Sequence, residues 1–155
     1  MRYGLAFVVV CATAVVVSAS QDEPRDIPAR AQGAHRVVVA KVGDVYSRFD
    51  INRWGDQLIV SESIVDVEET LKGAHVGSLR LRVEGGTVGD LTLTVSDMPR
   101  LTRGQRAVLF LDEEPGGSHV LHGRGAGLIE VDGAGRVKGT SLTVQGIGRL
   151  VRQSR

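Results

Sequence analysis

Cysteine is almost missing from this 155-residue sequence, which has a single one at Cys11. It lies in an apolar run over residues 3–17, preceded by Arg2 and followed by small residues at 18–20. This order is typical of a secretory signal peptide, and we expect cleavage after Ala19, with Ser20 as the alternative. Without residues 1–19 the chain would have no cysteine, which excludes disulfides, a cysteine nucleophile and thiolate metal sites.

The apolar run is shorter than the roughly 20 residues that a membrane-spanning helix needs. We therefore expect no stable membrane anchor after cleavage, and export to the periplasm or out of the cell. A retained membrane anchor and a lipid attached to Cys11 are the alternatives.

An excess of one charge is also missing, because 19 Lys and Arg residues stand against 18 Asp and Glu. Removing residues 1–19 takes away only Arg2 and leaves 18 residues of each sign among 136. Nucleic-acid binding needs basic residues gathered on one surface, so we expect no nucleic-acid partner. The hydrophobic content of 42% excludes a disordered chain.

Catalytic and metal-binding motifs are missing as well. There is no G-x-S-x-G elbow, no H-E-x-x-H, no phosphate loop and no dinucleotide fingerprint. The segment 50–61 matches a calcium loop at three positions, but Trp54 and Ser61 replace two of its oxygen ligands. His119 and His122 are three residues apart on a predicted strand and should face opposite sides. We predict no catalytic residue, no metal and no cofactor.

What the sequence does contain is a series of short, alternating apolar stretches that begins at Arg36. Residues 20–35 are polar and predict a flexible leader. Strands are expected over residues 37–46 with a bulge at Gly43, and over 58–71, 79–83, 91–95, 107–111, 119–121, 128–131 and 136–138. Residues 85–90 are expected to form a turn, and Leu142, Ile147, Leu150 and Val151 a short C-terminal helix.

The fold class predicted from this pattern is all-β, with residues 36–155 as one domain. We favour a small closed barrel of five or more antiparallel strands over a two-sheet sandwich. The run over residues 107–111 is apolar on both faces and indicates a strand covered on both sides.

Four segments carry a resemblance to a known group of proteins. They are residues 65–73 (VDVEETLKG), 84–86 (EGG), 98–99 (MP) and 104–111 (GQRAVLFL). In this order they resemble small exported bacterial OB-like domains, related in shape to the netrin and TIMP barrels, over residues 36–140. Some relatives sit beside matrixin-type metalloproteases. TIMP-type inhibitors chelate the protease zinc through an N-terminal cysteine, and the predicted mature chain has none. The resemblance therefore implies a barrel fold but not inhibition by that mechanism.

Aromatic residues make up only 4% of the sequence, and three of the four beyond residue 19 lie between residues 46 and 54. Aromatic and arginine side chains dominate binding hot spots. We therefore predict an exported, non-catalytic binding or accessory module that recognises an extracytoplasmic protein or other ligand. Its candidate contact residues are Tyr46, Arg48, Phe49, Arg53, Trp54 and Asp56.

Two alternatives remain for this sequence. The aromatic side chains could instead close one end of the barrel. The protein could also be a secreted hydrolase that uses a carboxylate pair such as Glu68 and Glu130.

Overall fold

The structure, a computed structural model, describes residues 26–52 and 54–154. The expected signal peptide, residues 1–19, lies outside these residues. The described elements are α1 (Asp26–Gly33), β1 (Arg36–Ile51), β2 (Gln57–Lys72), β3 (Ser78–Glu84), β4 (Gly86–Val88), β5 (Leu91–Leu93), β6 (Arg106–Glu113), β7 (Ser118–Leu121), a 3-10 helix (Arg124–Gly127), β8 (Leu128–Glu130) and α2 (Val144–Gln153).

Five strands form a ring, in the order β1, β2, β3, β7, β6 and back to β1. Strand β8 extends the same sheet by pairing with β6. The mainly β prediction is confirmed, and the sandwich alternative does not describe this ring. The expectation of purely antiparallel strands is wrong, since β3 and β7 pair in parallel. A ring with an odd number of strands cannot alternate direction all the way round, so one parallel pair is unavoidable.

Strands β1 and β6 separate two apolar cores. One core fills the ring and includes Val38, Val65, Leu81 and Leu109. The other lies between the outer face of these strands and the two helices, and includes Val39, Phe110 and Ile147. Residues 107–111 contribute to both cores and are fully buried, which confirms the prediction of a strand covered on both sides.

Helix α1 lies where the sequence pattern predicts part of a flexible leader. Its Ile27 and Ala31 are one helical turn apart and fully buried in the core that also contains α2. Lys72 Nζ donates hydrogen bonds to the carbonyl oxygens of Ala31 and Ala34, both at 2.7 Å, at the end of the helix. The leader prediction does not hold for residues 26–33, where two buried side chains are too few to reveal a helical period.

The C-terminal helix is confirmed as α2, whose Ile147 and Val151 are fully buried. The Thr143 hydroxyl caps its first turn by accepting a hydrogen bond from the Gly146 N–H at 3.1 Å. In the described part of the chain, neither α-helix combines the length and apolar character needed to cross a membrane.

The prediction for residues 85–95 is only partly right. Residues 86–88 and 91–93 form a separate two-stranded sheet rather than a turn and a ring strand, and Leu91 is 62% exposed. Strand β4 comes so close to the first hairpin that a Cβ on Gly86 would lie 2.4 Å from the hydroxyl oxygens of Ser47 and Ser61. Glycine is required there because no larger residue fits.

Strands β1 and β2 form a hairpin of two 16-residue strands. Their register shifts between Val42 and Val45, which confirms the bulge expected at Gly43. Beyond the bulge, pairing continues to Ile51 opposite Gln57. Residues 47–51 therefore lie on a strand that continues past Tyr46, where the sequence pattern predicts the first strand to end.

Candidate functional site

The tip of the β1–β2 hairpin is a tight turn organised by Asn52. Its side-chain oxygen accepts hydrogen bonds from the backbone N–H groups of Trp54 and Asp56, both at 2.9 Å. Its amide nitrogen donates to a carboxylate oxygen of Asp56 at 3.1 Å. Gly55 completes the turn with φ of 88°, in the left-handed region that favours glycine. This turn holds Trp54 with its side chain 70% exposed.

Below the tip, charged side chains on the outer face of the sheet form a chain of ion pairs. Arg48 Nη2 on β1 lies 2.7 Å from Glu62 Oε1 on β2. Arg82 on β3 contacts both Asp50 on β1, at 2.7 Å, and Glu114 in the turn that follows β6, at 3.2 Å. This series of ion pairs therefore links the hairpin to β3 and to the β6–β7 turn.

Hydrogen bonding favours the ionised form of Asp50 in this series of ion pairs. The Ile51 backbone N–H donates to Asp50 Oδ1 at 2.9 Å. This bond, followed by the positive charges of Arg82 and Arg48, lowers the pKa of Asp50 below 3.8. Asp50 is therefore an ionised partner for both arginines at neutral pH.

A second group of ion pairs surrounds Arg124, at the start of the 3-10 helix. Its guanidinium donates to Asp97 and lies 3.1 Å from Glu84 Oε2 on β3. Hydrogen bonds to Asp97 and then Glu84 raise the pKa of Arg124, and the Arg124 hydrogen bond lowers the pKa of Asp97.

Between these two groups lies a groove of about 730 Å³. It crosses the outer face of β2, β3 and β7, with the β1–β2 turn on one side and the β6–β7 turn on the other. Its apolar lining comes from Ile51, Trp54, Leu58, Val83, Met98, Pro115, Val120 and Leu121. Its charged lining comes from Arg48, Glu62, Arg80, Arg82, Glu84, Glu114 and Arg124. We refer to this region as the β2–β3–β7 groove.

Of the residues predicted from sequence, Arg48 and Trp54 line the groove. Tyr46 and Phe49 are 71% and 43% exposed and do not line it, while Asp56 belongs to the turn that carries Trp54. Arg53 lies outside the described residues. Because these aromatic side chains are exposed, they do not plug an end of the ring, which was the alternative.

The sequence prediction missed the part of the groove supplied by β3 and the β6–β7 turn. Arg80 and Arg82 alternate with the buried Leu79, Leu81 and Val83, so their place on the wet face of a strand was visible. The contact between Arg82 and Glu114 was not visible, since the two residues are 32 positions apart in the sequence.

Glu68 and Glu130, the carboxylates of the hydrolase alternative, have separate surroundings. Glu68 Oε2 accepts a hydrogen bond from Arg106 Nε at 2.6 Å. Glu130 is an exposed residue of β8. No described contact joins the two carboxylates.

The two neighbouring histidines also lie apart. His119 is buried on the inner face of β7, opposite Leu81, and neither of its ring nitrogens has a hydrogen-bond partner. His122 follows the strand and pairs with Asp112 at 2.9 Å. Among residues 26–52 and 54–154, no cluster of three or more His, Cys, Asp or Glu side chains could hold a metal ion.

Comparison of the sequence with protein-family models and with curated proteins finds no match.

Proposed function

We propose that this protein is an exported, non-catalytic binding or accessory module that holds an extracytoplasmic protein or other ligand in the β2–β3–β7 groove. One observation carries the proposal: a largely exposed tryptophan is fixed by a hydrogen-bonded turn at the edge of a groove that crosses three strands. Ile51, which is 66% exposed, lines the groove together with Trp54, and exposed apolar side chains that lie together mark interaction sites. Tryptophan is also among the residues most enriched in binding hot spots.

The composition of the groove supports the same function. Ligand sites combine an apolar lining with a few polar groups held in place by their neighbours. Here the apolar side chains of Ile51, Trp54 and Leu58 stand beside arginines that are oriented by carboxylates. A partner would meet side chains that already have defined positions, which lowers the conformational entropy lost on binding.

We further propose that the ring is an OB-like closed barrel. The supporting features are its five-strand circuit and its one parallel pair, between β3 and β7. OB-like barrels bind ligands on the face of their second and third strands, between the loops that follow the first and fourth ring strands. In this chain those places correspond to β2, β3 and the β1–β2 and β6–β7 turns, which are the walls of the groove.

The test is partner capture by purified protein carrying Ile51→Ala and Trp54→Ala together, after chemical crosslinking in extracytoplasmic extract. The matched control is Leu91→Ala, which removes a side chain that is 62% exposed on β5 and outside the groove. A Phe49→Ala and Trp54→Ala double variant examines the predicted aromatic contacts in the same assay. Circular dichroism and thermal unfolding establish whether each variant is folded.

We expect the Ile51/Trp54 variant to fold as the wild type does and to lose a captured species that wild type and Leu91→Ala both retain. Capture that is unchanged in the folded groove variant would contradict the proposal. Global unfolding of that variant would also contradict it, because the side chains would then be part of the core.

A further inference from the structure

We propose that the β2–β3–β7 groove takes an extended acidic peptide segment of a partner protein, and that Arg80 binds a carboxylate of that segment. This inference rests on the proposed binding function and specifies its ligand. It starts from the distribution of charges in the groove.

The carboxylates that line the groove already have partners. Glu62 lies 2.7 Å from Arg48, and Glu114 lies 3.2 Å from Arg82. Glu84 lies 3.1 Å from Arg124. Each lining carboxylate is therefore paired with a lining arginine, and Asp50 and Asp97 contact the same three arginines.

Arg80 differs from the other three lining arginines. It lies on β3, between Ile64 on β2 and Ser118 on β7, and its side chain is exposed. Among the described residues, no carboxylate lies within ion-pair distance of Arg80. Within the described part of the chain, Arg80 is therefore the one lining arginine without a carboxylate partner, and its guanidinium can bind a carboxylate through two parallel hydrogen bonds.

The remaining lining favours a peptide over a polyanion. A nucleic acid or sulfated polysaccharide repeats its negative charge along its length and needs a track of cations. Among the described residues of this groove, such a chain would find a single arginine, Arg80, that is not already paired with a carboxylate. A peptide with one or two acidic side chains satisfies Arg80 and still places an apolar side chain against Trp54 and Leu58.

The experiment begins with a display library of random dodecapeptides, selected on the purified protein. Recovered peptides are synthesised in their acidic form and with Asp or Glu replaced by Asn or Gln, and affinities are measured by fluorescence polarisation. They are measured on wild type, Arg80→Gln, Trp54→Ala and the control Arg149→Gln. Arg149 is an exposed arginine of α2 that does not line the groove. A heparin fragment is tested on the same four proteins.

We expect the selected peptides to be enriched in Asp or Glu near an aromatic or aliphatic residue. Arg80→Gln should weaken binding of the acidic form by about tenfold, the size of a charged hydrogen bond. Arg149→Gln should leave it unchanged. The amide form should bind wild type about tenfold more weakly and should bind Arg80→Gln no more weakly than the acidic form does. If the effects of the peptide change and of Arg80→Gln are non-additive in this way, the carboxylate of the peptide binds Arg80.

Three results would overturn the inference. If the peptides show no acidic preference but depend on Trp54, the acidic-ligand proposal fails and the binding function stands. If only the heparin fragment binds, and it depends on Arg80, the ligand is a polyanion instead of a peptide. If the recovered peptides depend on neither Arg80 nor Trp54, the groove does not bind them, and the binding proposal also loses its support.

Discussion

Arg82 Nη2 lies 2.7 Å from Asp50 Oδ2, and this ion pair crosses β2 to join β1 to β3. The same guanidinium contacts Glu114 beside the β6–β7 turn. Three segments that are distant in sequence therefore meet at one side chain, which is only 23% exposed. Arg82 therefore links the outer part of the hairpin, which carries Trp54, to β3 and to the β6–β7 turn.

Replacing Asp50 with Asn should loosen the hairpin while leaving the ring folded. Partly exposed ion pairs contribute no more than about 1 kcal/mol, so the free energy of unfolding should fall by about that amount or less. The control is Asp44→Asn, which breaks a more exposed pair with Arg103 at 2.9 Å. Urea denaturation and hydrogen exchange of the hairpin amides are the measurements. Unchanged exchange in residues 46–51 of the Asp50 variant would contradict this role for Arg82.

Asp50 should also make a pH-dependent contribution to stability. Its pKa is lower in the folded chain than the ordinary 3.8, so the unfolded chain binds more protons as the solution becomes acidic. The contribution is fully present above pH 3.8 and is lost as the pH falls through the lower, folded-state pKa. The stability difference between wild type and Asp50→Asn should shrink over that interval, and a constant difference would contradict the expectation.

Replacing Asn52 with Ala should free Trp54 without unfolding the protein. The change removes the side-chain oxygen that accepts the N–H groups of Trp54 and Asp56. Trp54 is the only tryptophan in the sequence, so its fluorescence anisotropy should fall in this variant. The matched control is Asp132→Ala, which removes an acceptor for the backbone N–H groups of Ala134 and Arg136. A fall of equal size in that control would contradict the assignment.

Lys72 should prove to be the residue that fixes α1 to the ring. Its Nζ donates to three carbonyl oxygens at the end of the helix, at 2.7, 3.2 and 2.7 Å. Replacing Lys72 with Met keeps most of the side-chain volume and should lower the free energy of unfolding by about 1–3 kcal/mol. Lys41→Met, at an exposed position on β1, should cost far less. Equal unfolding curves for wild type and Lys72→Met would show that the three hydrogen bonds contribute no net stability.

His119 should make the protein less stable in mild acid. Burial, and then the positive charge of Arg36, lower the pKa of His119 below 6.5. An imidazole with a lowered folded pKa binds more protons in the unfolded chain. The free energy of unfolding is therefore not reduced by His119 above pH 6.5, and it decreases as the pH drops from 6.5 towards the pKa of His119 in the folded chain.

Replacing His119 with Leu should remove that pH dependence. The variant should be at least as stable as wild type at pH 7, because it removes two buried nitrogens without partners. The control is His75→Gln, which replaces an exposed histidine. The measurement is the urea midpoint between pH 5 and 7.5. A wild-type slope that persists in His119→Leu would place the titrating group elsewhere.

Much of the ring could be predicted because apolar and polar residues alternate regularly along its strands. Leu79, Leu81 and Val83 are buried as their spacing predicts, and the apolar run in β6 lies between two cores. Helix α1 was missed because it buries only Ile27 and Ala31. In addition, the carbonyl oxygen of Ala31 near its end accepts a hydrogen bond from Lys72, which is 41 residues away in the sequence.

The candidate site was only half predictable for a related reason. The aromatic cluster near Trp54 is local in the sequence, so composition reveals it. Its surroundings come from β3, β7 and the β6–β7 turn, and only the closing of the ring brings Arg82 and Glu114 together. The parallel pairing of β3 and β7 is likewise a property of the whole circuit rather than of either strand.

Site-specific photocrosslinking tests the central claim, that the β2–β3–β7 groove is the binding surface, most directly. A photoreactive phenylalanine analogue is placed in turn at Leu58 on β2 and at Ser118 on β7, which both line the groove, and at Leu91 on β5. Each purified variant is then irradiated in extracytoplasmic extract. We predict that the first two positions form an adduct of the same mass and that position 91 does not. Adducts at position 91 alone, or different adducts at 58 and 118, would contradict a single binding groove.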